Sequence, residues 1–196
     1  PSWDERAAIA SSNVMDQVPS EQRFSVGSVV AGRLRIIRCI GTGGMGSVYE
    51  VEHEITRHRR ALKLLHSQMA QIPSVVERFL REASAAGRIG NRHIVETFDA
   101  GRLEGGEPYI VMELLEGKTL AELLDEKGRL APESAYDILV QACDAVSAAH
   151  AAGIVHRDLK PENLFLSGAD RSFVKILDFG ISKFDPSATG VDGLTL

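Results

Sequence analysis

Between Cys39 and Val51 the chain reads CIGTGGMGSVYEV, with Gly41, Gly43 and Gly46 at the spacing G-x-G-x-x-G. Glycines so placed leave a backbone whose amides can approach a phosphate with no Cβ in the way. Two unrelated phosphate-binding loops share this spacing, and the flanking residues decide between them. In one, the glycines open a helix whose N-terminus holds a pyrophosphate. Here Leu34, Ile36 and Ile40 alternate ahead of the glycines, as in a strand, and the SVYEVEH segment after them is β-branched and aromatic with no helix-start signal. The glycines therefore join strand to strand. A loop that ends in a Lys-Ser/Thr pair is also excluded, because no such pair follows Gly46. What remains is a strand–loop–strand cover for a nucleotide's phosphates, or a plain glycine-rich hairpin.

The next segment, RRALKLL, reads as a strand in which Ala61, Lys63 and Leu65 share one face and Leu62 and Leu64 the other. A lysine alternating in an apolar strand is ordinarily an exposed-face residue unless an anion meets it. One candidate lies in SVVERFLREASAAGRI, where Ser74 and Glu77 form a capping-box pattern for a helix start. Val75, Phe79, Ala86 and Ile89 then make an apolar seam that Glu82 interrupts. A carboxylate inside a buried seam costs several kcal/mol unless paired, and Lys63 is the natural cation. The alternative rotates the helix and leaves Glu82 in solvent beside Arg78 and Arg81.

HIVETFDAG and PYIVMELLEG supply two further strands, making five with one helix, a small and mostly antiparallel lobe. After Gly117 the pattern turns helical. Thr119 and Glu122 form a second capping box, and Pro132 opens a long helix with Ala135, Ile138, Leu139, Ala142, Val146 and Ala149 at helical spacing up to Gly153. Residues 1–30 are polar and non-periodic and read as a leader.

Directly after that helix stand IVHRDLKPENLFL and VKILDFGISK. With these, the chain from about Arg33 to about Lys183 resembles a eukaryotic-type (Hanks-type) serine/threonine protein kinase, closest to the bacterial members of that family. The resemblance implies an α+β, bilobal fold, with an N-lobe over residues 31–112, a hinge over 113–117 and a mainly helical, incomplete C-lobe over 118–196. It also implies ATP and Mg²⁺ as cofactors. Gly41, Thr42, Gly43, Gly44, Met45 and Gly46 would cover the phosphates, which Lys63, held by Glu82, would pair. Val48 and Ala61 above and Phe165 below would enclose the adenine, with Met112 at the back of the slot and the backbone of Glu113 and Leu115 along its edge. Asp158 would orient the substrate hydroxyl, Lys160 would stabilise the transferred phosphoryl group, and Asn163 and Asp178 would bind Mg²⁺. His156 and Phe179 would belong to a packed column tying the lobes together. Arg157 suggests control by activation-segment phosphorylation, with Ser187, Thr189 and Thr195 as candidate acceptors.

The chain ends at Leu196 within that segment, with no A-P-E motif, so the resemblance implies a truncated C-lobe with Ile138, Leu139 and Val146 left partly exposed. A nucleotide-binding pseudokinase with a scaffold role is the alternative function; five intact polar residues, Lys63, Glu82, Asp158, Asn163 and Asp178, argue against it. Protein substrates bearing Ser or Thr are the implied partners, and kinase dimerisation is compatible with the resemblance. A net charge of −5 offers no basic footprint for nucleic acid or an anionic membrane. Cys39 and Cys143 are the two cysteines and lack metal-type spacing, which fits a reducing, cytoplasmic setting, including that of a cytoplasmic domain in a membrane-anchored parent. Residues 1–23 hold no signal-peptide pattern, since Asp4, Glu5 and Arg6 interrupt any apolar core.

Overall fold

A computed structural model of the chain describes residues 24–168 and 171–178. Six antiparallel strands form the first sheet in the order β1-β2-β3-β4-β6-β5. These are β1 (Val29–Val30), β2 (Leu34–Thr42), β3 (Gly46–His53), β4 (Arg59–Leu65), β5 (Thr97–Arg102) and β6 (Pro108–Met112). Helix α1 (Ser67–Ala70) and helix α2 (Pro73–Ile89) connect β4 to β5. The sequence reading of five strands and one helix lacked β1 and α1, which are too short to show a period. It also assigned Val29 and Val30 to the leader, whereas both pair with β2, and Phe24 already packs edge-on against Tyr49.

Both faces of this sheet are covered, which explains the almost unbroken apolar run in β4. Leu62 and Leu64 pack with Leu34, Ile36, Tyr49, Val51, Tyr109 and Val111 on one face. Leu65 and Ile110 pack with Val76, Phe79 and Ala83 of α2 on the other. Helix α2 departs from expectation in two ways. It starts on Pro73, with Ile72 as N-cap and no side-chain cap, so the Ser74–Glu77 box is not used. Proline at the first helical position needs no amide partner and already has the helical φ, so the start shifts ahead of Ser74. The seam shifts as well: Val76, Phe79, Ala83 and Ala86 are buried, while Val75 and Ile89 are half-buried. Glu82 thus stands on the flank of the seam rather than in it.

Strand β2 shows why alternation misleads near the glycines. Leu34 and Ile36 are buried, but Ile40 is 39% exposed. The register shift between Ile36 and Arg38 inserts an extra residue ahead of Ile40 and inverts the parity, and a second shift between Cys39 and Gly41 leaves Ile40 itself without a Cα partner.

The second half contains β7 (Gly117–Thr119), α3 (Leu120–Lys127), α4 (Pro132–Ala151), a 3-10 turn (Pro161–Asn163), β8 (Leu164–Ser167) and β9 (Phe173–Ile176). Strands β7-β8-β9 form a small sheet that the helical reading of this region missed. The Thr119–Glu122 capping box is formed as expected. Ile138, Ala142, Ala145 and Ala149 of α4 pack on Leu123, Leu164, Leu166, Val174 and Ile176, and the same cluster includes Ala86 of α2 and Ile94. Ile94 and Ile176 form a parallel bridge, with Ile176 N–H donating to His93 O (2.7 Å) and Val95 N–H to Ile176 O (3.1 Å). The start of HIVETFDAG therefore pairs with β9, and only its latter part is β5.

Ile138, expected to be partly exposed, is 6% exposed, whereas its neighbour Leu139, about 100° round α4, is 61% exposed, and Tyr136 and Val140 are exposed as well. Ile138→Ala should cost about 2–5 kcal/mol by the cavity it opens. Leu139→Ala should stay within about 0.5 kcal/mol of the parent. Urea midpoints of the two variants check the contrast; an equal loss at Leu139 would show that its face is covered.

Candidate functional site

The glycine loop is held at its base by contact rather than by backbone conformation. Gly43 N–H donates to Gly46 O at 2.9 Å and closes the turn. A Cβ on Gly46 would lie 2.2 Å from Leu64 O, so only glycine lets β3 pass this close to β4. Around Gly41 and Gly44, by contrast, no atom lies within 4 Å of where a Cβ would stand. Their bare backbone faces open space into which a ligand can come.

Lys63 stands opposite Val48 on β3 and Ile110 on β6. Its Nζ lies 2.8 Å from Glu82 Oε1 and 2.7 Å from Asp178 Oδ1. Two carboxylates thus share one ammonium, and the alternative of a solvated Glu82 beside Arg78 and Arg81 does not hold. Burial would pull the Lys63 ammonium down, but Asp178 and Glu82 outweigh it and push it up to about 12. An ordinary ion pair would lower Glu82 too. Instead its carboxyl is pushed up to about 7, first by burial and then by the charge of Asp178, against the pull of Lys63. Asp178 is held below the usual carboxylate range; burial opposes this, but Lys63 and a hydrogen bond from Glu82 prevail. The two shifts run in opposite directions, so of the two carboxyls Glu82 is the one that the cluster inclines towards its protonated form.

Facing this cluster is the loop that follows α4. Lys160 Nζ lies 3.3 Å from Asp158 Oδ2. Asn163 Nδ2 donates to Asp158 O (2.8 Å), and Leu177 N–H donates to Asn163 O (2.8 Å). His156 is buried, and its Nδ1 accepts from Asp158 N–H at 3.3 Å. That leaves Nε2 to carry the hydrogen, which it donates to Leu177 O at 3.1 Å. Burial lowers the His156 pKa despite the opposing influence of the Leu177 carbonyl, Asp158 and Asp178, which favours this neutral ring. Arg157 (φ 64°) and Asp178 (φ 43°) are both non-glycine residues in the left-handed region, strain that their fixed neighbours must hold.

Met45, Lys63, Glu82, Asp158, Lys160, Asn163 and Asp178 line one cleft of about 190 Å³, together with Val75, Arg78 and Phe79. No group of three or more His, Cys, Asp or Glu suited to a metal occurs among the described residues. The Asp178–Asn163 pair nevertheless suits Mg²⁺, which keeps several waters and takes phosphate oxygens with one or two protein ligands. Since Asn163 Nδ2 is committed to Asp158 O, its side-chain oxygen is the atom left for a cation.

Val48 and Ala61 share the cleft-side face of the sheet with Lys63, Ala61 is in register with Met112, and Phe165 projects from β8. Glu113 N–H is spent on Glu96 O (2.9 Å), so of its two backbone groups the carbonyl is left to meet a ligand. Its side chain is engaged as well: Oε1 accepts from Lys175 Nζ (2.5 Å) and from Glu96 N–H (2.9 Å), while Lys175 also reaches Ile94 O (3.3 Å). This semi-buried pair ties residue 113 to β9. The sequence carried its signal, a lysine in the apolar run VKIL, the same pattern that drew notice to Lys63. Phe179, Ser187, Thr189 and Thr195 lie outside the described residues.

The family model for the protein kinase domain matches residues 34–191. The chain belongs to the protein kinase family. It is similar to serine/threonine-protein kinase Pkn1 of Myxococcus xanthus, at 45% identity over 157 residues, which are 79% of this chain and 22% of that kinase. It is also similar to serine/threonine-protein kinase PknE of Mycobacterium tuberculosis, at 42% identity over 164 residues, 84% of this chain and 28% of that kinase. Among solved structures, the M. tuberculosis PknI kinase domain superposes with a TM-score of 0.71 at 30% identity, covering 82% of this chain and 62% of that one. The chain thus spans between 22% and 28% of the length of these two curated kinases.

The shared ammonium makes a definite statement about pH. Because Glu82 titrates at about 7 in the fold against 4.5 ordinarily, its contribution to stability is complete below 4.5 and is lost as pH rises through 7. Asp178→Asn should flatten that slope, since Glu82 would then answer to Lys63 without a competing anion. Denaturation midpoints at about pH 5 and about pH 8 for both proteins measure it. An unchanged slope in the variant would show that Asp178 does not hold Glu82 protonated.

Proposed function

We propose that this chain forms the nucleotide-binding and phosphate-transfer centre of an ATP-dependent serine/threonine protein kinase, working in a cytoplasmic setting. The observation that carries this reading is the opposition, across one cleft, of the Lys63–Glu82–Asp178 cluster and the Asp158–Lys160–Asn163 loop. Transfer of a γ-phosphoryl group to a hydroxyl requires the two reactants in line and compensation of the phosphate charge.

Gly41 to Gly46 would close over the phosphates through their amides, and Lys63 would exchange its bond to Asp178 for the α/β-phosphates while keeping Glu82. Val48, Ala61, Met112 and Phe165 would enclose the adenine, with the Glu113 carbonyl and the Leu115 backbone on its edge. Asp178 and Asn163 would hold Mg²⁺, which when bound neutralises charge on the phosphates. Asp158 would accept the proton of the incoming Ser or Thr hydroxyl, and Lys160, beside it, would stabilise the phosphoryl group in passage. The family membership, the names of the relatives and the Lys160 position support Ser/Thr protein substrates.

Asp158→Asn should lower phosphate transfer from labelled Mg-ATP to a generic Ser/Thr protein by about 100- to 10,000-fold while leaving nucleotide binding intact. Lys63→Met should weaken nucleotide binding itself, and it should also destabilise the fold by about 3 kcal/mol through the carboxylates left unpaired. Transfer that survives Asp158→Asn would overturn the assignment. Binding of Mg-ATP without transfer by these 196 residues would mean that they keep the nucleotide cradle but not the transfer step, and the scaffold reading would then be decided by the same assay on a longer chain.

A further inference from the structure

One residue outside the cleft makes two separate bonds to the glycine loop. His66, at the exit of β4, donates its backbone N–H to Met45 O at the tip of the loop (2.9 Å). Its ring Nε2 lies 3.0 Å from Ser47 Oγ, on a serine that is only 2% exposed under the loop. Ser47 Oγ in turn donates to Thr42 Oγ1 (3.4 Å), on the other arm of the hairpin. With its single hydrogen given to Thr42, Ser47 must accept from the ring, so Nε2 is the donor. Thr42 Oγ1 lies 3.5 Å from Cys39 Sγ, which extends the chain into β2. Both arms of the loop are thereby fastened to one imidazole.

The location of that imidazole matters as much as its bonds. His66 follows Lys63 by three positions and is the N-cap of α1, whose first turn it closes by accepting from Ala70 N–H (2.9 Å). Helix α2, which carries Glu82, begins a few residues later. The residue therefore sits where the strand of Lys63 hands over to the helix of Glu82, and it grips the third part of the phosphate site from there.

The geometry points to His66 as a positioning residue, a latch that fixes the height of the glycine loop over the phosphates through Ser47 and Thr42. This rests on the nucleotide-binding reading above. His66 would touch neither nucleotide nor substrate; it would act by holding the loop amides where phosphate oxygens arrive. Loss of the ring should therefore weaken ligands in proportion to what they place under the loop. Adenosine, held by the apolar slot and the residues near 113, should be indifferent, whereas the triphosphate should not.

The test compares adenosine and Mg-ATP binding by calorimetry on the 196-residue chain. His66→Ala should weaken Mg-ATP by about three- to tenfold, the worth of one hydrogen bond, with adenosine unchanged. Glutamine places a donor nitrogen near the position of Nε2, so His66→Gln should restore most of the loss. Ser47→Ala removes the same bond from its other end and should match His66→Ala, and the double variant should lose no more than either single one. Should His66→Ala fail to fold, Ser47→Ala carries the comparison alone. Unchanged Mg-ATP affinity in the variants, or equal weakening of both ligands, would overturn the latch. A parent chain that binds Mg-ATP no better than adenosine would overturn the nucleotide reading and the latch with it.

Discussion

Lys63 is the point on which the rest of the site depends, because its ammonium is claimed by carboxylates from two separate parts of the chain. Glu82 comes from α2 and Asp178 from the end of β9, and neither element touches β4 in sequence. Bringing them together requires α2 to lie across the sheet, which the Val76, Phe79 and Ala83 seam achieves against Leu65 and Ile110. It also requires β9 to be fixed relative to the first sheet, which the Ile94–Ile176 bridge and the Glu113–Lys175 pair achieve. One cation between two anions is one positive charge short. That shortfall is what raises the Glu82 carboxyl, and it makes the neighbourhood of Asp178 receptive to further positive charge.

The loops at the floor of the cleft are positioned by hydrogen bonds to backbone more than by packing. Leu177 contributes both its backbone groups, the N–H to Asn163 and the carbonyl to His156, so the segment before Asp178 and the segment around Asp158 are fixed to each other on both sides. Such cross-ties explain how Arg157 and Asp178 can hold positive φ without glycine. They also explain the buried His156: a neutral ring that accepts at one nitrogen and donates at the other is a bridging group that neither a lysine nor a carboxylate can replace.

Much of this was legible in the sequence. The strand–loop–strand reading of the glycines, the Thr119 capping box and the start of α4 at Pro132 follow from local pattern, and the structure has each of them; the Lys63–Glu82 pair, which the residues alone leave open against a solvated Glu82, is formed as the resemblance implies. The features that escaped depend on register or on tertiary contact. Ile40 left the alternation because one register shift in β2 precedes it and a second falls on it, which no alternation rule can anticipate. The helix start at Pro73 was missed because two start signals overlap there and proline prevailed over the capping box. Strands β7 to β9 are three or four residues long and gain their order from α3 and α4 rather than from propensity. The Glu113–Lys175 pair spans residues whose proximity only the folded chain creates.

Ile176 lies at the junction of the two halves with no exposed surface, and both of its backbone groups are bonded to residues of the preceding half. Its side chain belongs to a cluster that also takes in Ala86 and Ile94. The two lobes therefore share a core as well as a cleft. A chain cut at residues 113–117 would give pieces that each expose a strand edge and part of that core, so neither half should behave as a folding unit of its own. Amide protons at Val95 and Ile176 should then exchange with solvent only when the whole molecule opens, and their protection would report cooperativity between the lobes.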